Sequence, residues 1–191
     1  IAFYTLGCRV NQYESEALAE CFEKKGWTVY RNGGKYCTAA VINTCTVTTE
    51  SDRKSRQTIR RAIRENPDGI IAVVGCFSQI SPEDAAGIPG VDIVLGNGEK
   101  LSVTEKIEEL SETGKVPLPF VNTGGLNIGY CEKMSVTSSE RTRAYIKIED
   151  GCENKCAYCI IPRARGKAGS SGPASGKQMR FAGSPNLFLR S

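Results

Sequence analysis

Four short apolar segments, at residues 1–6, 38–43, 70–74 and 91–95, each lead into a stretch with helical spacing. A chain that alternates strand and helix in this way buries its strands between helices, which points to an open, mostly parallel sheet in an α/β domain. The third segment, Ile70-Ile71-Ala72-Val73-Val74, is apolar without alternation, as a strand covered on both faces should be. The spacing predicts a first helix over 11–25 that Gly26 ends, with Asn11 as its cap and Glu14 as the returning partner. Its apolar stripe is Ala17, Leu18, Cys21 and Phe22. A second helix runs to Glu65 from a capping-box-like start at Thr49 and Asp52, with Ile59, Ala62 and Ile63 toward the sheet. Ser81-Pro82 opens a short third helix, and 99–110 is a fourth. We expect this domain over 1–114. Residues 115–140 lack a period and are expected to be a linker, with an extended segment at Phe120-Val121. Residues 141–149 then alternate as one further strand.

The cysteines acquire meaning on that frame. Cys8, Cys45 and Cys76 each sit just past the carboxyl end of one of the first three strands. In an open parallel sheet those ends share one edge, where ligands collect, so three cysteines distant in sequence converge on one rim. A second metal cluster is the favoured reading of that convergence, and three unrelated buried thiols are the alternative. Cys21 is expected in the core, and Cys37 and Cys131 are incidental.

Beyond the last predicted strand, Cys152, Cys156 and Cys159 stand at C-x3-C-x2-C spacing, in a loop that ends at Arg163-Ala164-Arg165-Gly166. Three thiolates in one short loop make an incomplete metal site. Structural zinc wants four closed ligands, whereas an iron–sulfur cube on three thiolates keeps one iron open. Zinc and inert thiols stay as the competing readings. The chain has no histidine and nine cysteines. The first fact removes the commonest general base and nitrogen ligand. The second, with no export signal, argues for a reducing compartment and a cytoplasmic protein. The net charge of +4 favours a polyanionic partner only through its placement. Arg53, Arg56, Arg60 and Arg64 recur at helical spacing, either as a solvated face or as contacts to nucleic-acid phosphates. No apolar run is long enough to cross a bilayer, so no membrane partner is expected.

With both cysteine sets in view, the chain resembles the methylthiotransferases of the radical S-adenosylmethionine (SAM) superfamily over about residues 1–167. The likeness rests on Thr5-Leu6-Gly7-Cys8-Arg9-Val10-Asn11-Gln12-Tyr13-Glu14-Ser15, Asn43-Thr44-Cys45-Thr46-Val47-Thr48, Asp52-Arg53-Lys54-Ser55-Arg56-Gln57 and the three-cysteine loop. The first three motifs are most similar to the branch that acts on threonylcarbamoyladenosine in tRNA. The resemblance implies an enzyme that methylthiolates carbon 2 of adenosine 37 and works with two [4Fe–4S] clusters, SAM, tRNA and an electron-donating protein. Cys8, Cys45 and Cys76 would hold the auxiliary cluster. Cys152, Cys156 and Cys159 would hold the one that binds SAM, with Tyr158 near its adenine. Isopentenyladenosine tRNA as the target, or a non-catalytic metal-binding module, are the alternatives. By the same resemblance, 141–167 is the first strand and cluster loop of an incomplete radical SAM barrel. After Lys167 the family continues into the barrel and a small RNA-binding β-domain. Here Gly, Ser, Pro and Ala dominate instead. Residues 168–191 are therefore expected to be an irregular tail, from a frameshift, a truncation or foreign sequence. The chain alone is expected to bind clusters without turnover.

Overall fold

The computed structural model describes residues 1–126, 134, 136, 147 and 149–170. Five strands, β1 (Ala2–Thr5), β2 (Ala39–Thr44), β3 (Ile70–Gly75), β4 (Ile93–Leu95) and β5 (Phe120–Asn122), form one parallel sheet in the order β1-β2-β3-β4-β5. The expected α/β class is found. The extended segment at Phe120-Val121 proves to be the fifth strand, paired with β4.

Both faces of the sheet are covered, which explains the unbroken apolar runs. On one face, Phe3, Val41, Ala72, Val74, Ile93 and Leu95 pack against Ala17, Leu18 and Phe22 of α1 (Arg9–Lys24). Val103 and Ile107 of α5 (Val103–Thr113) complete that layer. On the other, Tyr4, Ile42, Ile71, Val73 and Val94 meet Ile59 and Ala62 of α2 (Thr49–Glu65), Phe77 of α3 (Cys76–Ile80) and Ala85 of α4 (Pro82–Ala86). Phe22 stands edge-on to Phe3 and to Trp27, with ring centroids 6.0 and 5.6 Å away. Burying one such side chain is worth about 1.5–3 kcal/mol. Cys21 is only half-buried, at the margin of the stripe and not in the core. At the free edge of β1, Phe3 N–H donates to Tyr30 O (2.7 Å) and Tyr30 N–H to Ile1 O (2.9 Å), so the loop after α1 covers that edge.

Local chemistry departs from expectation at three helix starts. The first helix begins at Arg9, with Cys8 as its cap residue, so Asn11 and Glu14 lie inside it and are buried. They form no capping box: Asn11 Nδ2 donates to Leu6 O (2.8 Å) and Thr44 O (2.9 Å), pinning α1 to two strand ends. The second helix is capped by Thr48, whose Oγ1 accepts from Ser51 N–H (3.1 Å). Asp52 instead accepts from the Thr46 hydroxyl at 2.5 Å. The fourth predicted helix opens as a 3-10 turn, Lys100–Ser102, before α5. The strand expected over 141–149 lies largely outside the described residues, as do Cys131 and residues 171–191. The described end of that strand, β6 (Glu149–Asp150), pairs antiparallel with β7 (Gly169–Ser170). Among the described residues there is no closed barrel, and no helix is long and apolar enough to cross a membrane.

Candidate metal centres at the strand ends and in the three-cysteine loop

The rim is built by the register of the strands. Thr44 lies opposite Gly75, so Cys45 and Cys76 leave the sheet side by side. Thr5 lies opposite Asn43, and Leu6 N–H donates to Asn43 O (2.9 Å), which carries the β1 exit to the same edge. There Gly7 adopts φ +91°, and a Cβ on it would lie 2.7 Å from Cys45 Cβ and 2.9 Å from Cys45 Sγ. Only glycine allows so close an approach with that backbone. Ser55 on α2 brackets Cys45: its Oγ donates to Cys45 O (2.8 Å) and accepts from Cys45 N–H (3.3 Å). Cys45 and Cys76 are buried, and Cys8 is exposed.

Two buried amides line this edge. Asn97 Nδ2 stands 3.5 Å from Cys76 Sγ and donates to Ala164 O at 2.6 Å. Asn43 Nδ2 donates to Asn11 O and Ser15 Oγ, both at 3.0 Å. The side-chain oxygens of Asn43 and Asn97 are buried without a partner among the described residues, which only a hydrogen-bond donor would relieve.

The three-cysteine loop is closed at its base. Cys152 N–H donates to Gly166 O (3.1 Å), Asp150 Oδ1 accepts from Gly151 N–H (2.9 Å), and a tight turn joins Cys159 N–H to Cys156 O (3.0 Å). It ends in the short helix α6 (Ile161–Arg165), and Ala164 of α6 is fully buried. Cys152 and Cys159 are half-buried, while Cys156 and Tyr158 are exposed. Among the described residues, no three His, Cys, Asp or Glu side chains gather closely enough to hold a metal ion. The backbone thus brings each cysteine set to one region, and the sulfurs of neither set gather into a triad. The donor type nevertheless suits an iron–sulfur cluster, since both sets offer thiols and the chain has no histidine.

The charge-bearing residues beside the rim were not singled out for this role from sequence. Glu14 is buried against Lys100, Lys147 (2.7 Å) and Arg165 (2.9 Å). Burial pushes its carboxyl pKa up, but Lys100, Arg165 and Lys147 outweigh this and hold it well below the carboxylate range. Asp150 pairs with Lys147 at 2.6 Å and with Arg165 at 2.8 Å. The signal for Glu14 is its spacing: it falls in line with Ala17, Leu18 and Phe22 on the apolar stripe, where an unpaired carboxylate would not survive.

On the basic helix, Arg53 is paired with Glu50 (2.7 Å). Arg56 reaches Asp84 (2.9 Å) and lies 4.9 Å over the Phe77 ring. Arg60 and Arg64 are exposed. Ile59 and Ala62 face the sheet, fully buried, as their spacing requires.

Fold and site together define a parallel α/β domain that presents cysteines at its strand ends, with a three-cysteine loop docked beside them. Residues 1–96 match the family described as Uncharacterized protein family UPF0004, and the chain belongs to that family. It is similar to two proteins named threonylcarbamoyladenosine tRNA methylthiotransferase MtaB. The protein from Bacillus subtilis is 45% identical over 91% of this chain and 38% of its own length. The one from Thermotoga maritima is 39% identical over 93% of this chain and 39% of its own length. It is also similar to a ribosomal protein uS12 methylthiotransferase RimO from Pelotomaculum thermopropionicum, 31% identical over 87% of this chain and 37% of that protein. The chain spans about two fifths of the length of these relatives.

Proposed function

We propose that this chain supplies the cluster-binding part of a radical SAM methylthiotransferase acting on carbon 2 of N6-threonylcarbamoyladenosine 37 in tRNA. The observation that carries the reading is that Cys8, Cys45 and Cys76 follow adjacent strands at one edge of the sheet, beside a loop that bears Cys152, Cys156 and Cys159. Each set provides three thiolates and leaves one corner of a [4Fe–4S] cluster open. In this reading the rim holds the auxiliary cluster, the loop holds the SAM-binding one, and Tyr158 sits near the adenine. When bound, these groups supply the radical that removes an unreactive aromatic hydrogen and the sulfur and methyl that replace it. No side chain of this chain could deprotonate such a carbon.

The protein's own residues hold and orient. Gly7 lets the β1 exit approach Cys45, Ser55 fixes the Cys45 backbone, and Asn97 bridges Cys76 to the loop's exit helix. The burial of Cys45 and Cys76 keeps water from that part of the rim. Exposed Arg60 and Arg64 offer cations to the tRNA backbone, with Arg53 and Arg56 available on exchange of their carboxylate partners. An electron-donating protein completes the partners. The relatives named for threonylcarbamoyladenosine tRNA support this target at 45% and 39% identity. A ribosomal protein target has weaker support, from a relative at 31%.

Two measurements test the reading. Anaerobic reconstitution with iron and sulfide should give about two cubes per chain, falling to about one when either cysteine set is changed to alanine. One zinc and no sulfide would instead make the chain a zinc module. Nucleoside mass spectrometry of tRNA from a strain lacking the gene should show threonylcarbamoyladenosine without its methylthio group. Loss at isopentenyladenosine instead would move the target to the other tRNA substrate.

A further inference from the structure

The buried charges around Glu14 form a seam between two parts of the molecule. Glu14 and Asn11 belong to α1, and Lys100 to the turn after β4. Lys147, Asp150 and Arg165 belong to the segment that carries the three-cysteine loop. Arg165 joins the two sides: its Nη1 contacts Glu14 Oε1 (2.9 Å) and Asp150 Oδ1 (2.8 Å), and its Nη2 donates to Asn11 Oδ1 (2.5 Å). The neighbouring residue, Ala164, is the one whose carbonyl accepts from Asn97 beside Cys76. Gly166, next again, accepts from Cys152 N–H at the loop base. Ala164 and Arg165 thus tie the loop's exit to the rim, while Gly166 closes the loop on itself.

Such an arrangement is a poor device for stability alone. Three cations and two carboxylates taken from water lose hydration that apolar packing would not forfeit, and replacing such groups by hydrocarbon is often neutral or stabilising. What directional ion pairs supply is a single orientation, because a guanidinium shared between two carboxylates and an amide fits in one pose.

We propose that Arg165 is a positioning residue: through Glu14, Asp150 and Asn11 it locks the three-cysteine loop against the strand-end rim, so that the two cysteine sets keep a fixed separation. The functional meaning rests on the proposed methylthiotransferase reading, in which two centres must serve one nucleoside. The docking itself does not depend on that reading.

Hydrogen exchange of the metal-free chain, followed by mass spectrometry, separates the two. In Arg165→Met and Asp150→Asn, the amides of 152–166 should exchange about tenfold faster or more, the factor given by about 1.4 kcal/mol. Those of β2 and β3 should keep their protection. Arg165→Lys, which retains the charge and loses the fork, should restore part of the loss. Unchanged exchange over 152–166 would overturn the proposal. So would a joint loss in loop and sheet, which would make these charges ordinary members of the core. Asp150→Asn keeps the test decisive if Arg165→Met does not fold, because Asp150 lies on the loop side only. Failure of iron loading with normal exchange would sink the functional reading and leave the lock standing.

Discussion

At position 7 a side chain has nowhere to go. The backbone sits at φ +91°, and the nearest atoms to a Cβ are Cys45 Cβ and Sγ, at 2.7 and 2.9 Å. A left-handed backbone costs a residue with a side chain about 1–2 kcal/mol, and the steric overlap adds to it. Gly7→Ala should therefore lower the melting temperature by several degrees and, in the proposed reading, reduce iron uptake at the rim while leaving the loop set loaded. Calorimetry and iron analysis of the variant check both parts. Equal loss at both sets would mean general unfolding. The same scale shows what sequence could reveal. That Cys8, Cys45 and Cys76 share an edge was legible, because strand ends in a parallel sheet share an edge by topology. The role of Asn11 was not. Its position after Gly7-Cys8 suits a helix cap, and only the tertiary contact to Thr44 O shows that it is a brace.

Among the elements, α2 was the most legible, with its end at Glu65 and its buried face at Ile59 and Ala62 read from the sequence. Its cap was displaced by one residue because Thr48 and Thr49 offer the same hydroxyl, and sequence cannot say which of two adjacent threonines is extended. The structure distinguishes them sharply. Thr48→Ala should cost about 1 kcal/mol in denaturant unfolding, whereas Thr49→Ala should be close to neutral. The charged face of α2 makes a separate prediction. Arg56 and Arg60 to alanine should reduce the steepness with which tRNA binding falls with salt, by up to about two phosphate contacts. An unchanged slope, read by filter binding across a salt series, would return the helix to a solvated face. The short elements were less legible. β5 spans only Phe120–Asn122 in a stretch rich in turn residues, and its strand character comes from pairing with β4 rather than from its own pattern.

At the scale of the whole molecule, the Glu14 seam predicts how loop and sheet should part in acid. Glu14 faces Lys100, Lys147 and Arg165, with Asp150 and Cys76 next in the same network. Its pKa in the folded protein lies below the ordinary 4.5, so the docked state binds fewer protons than the undocked one. The stabilisation is thus fully present above that value and is lost as the pH falls through and below it. Glu65, on the other face of the sheet, is also held low, by the Tyr4 hydroxyl and then Arg61, but its carboxylate is nearer solvent and its partners lie on α2 and β1. Acid should therefore release the loop before it disturbs the sheet. Trp27, the only tryptophan, rests on Phe22 and reports the sheet side, while exchange over 152–166 reports the loop. On lowering the pH from 7 to 3, loop protection should fall while Trp27 fluorescence stays native. Glu14→Gln should leave the loop unprotected already at pH 7, with little further change in acid. Coincident transitions for the two reporters in the unaltered chain would show that the seam has no separate existence, and that loop and sheet unfold as one unit.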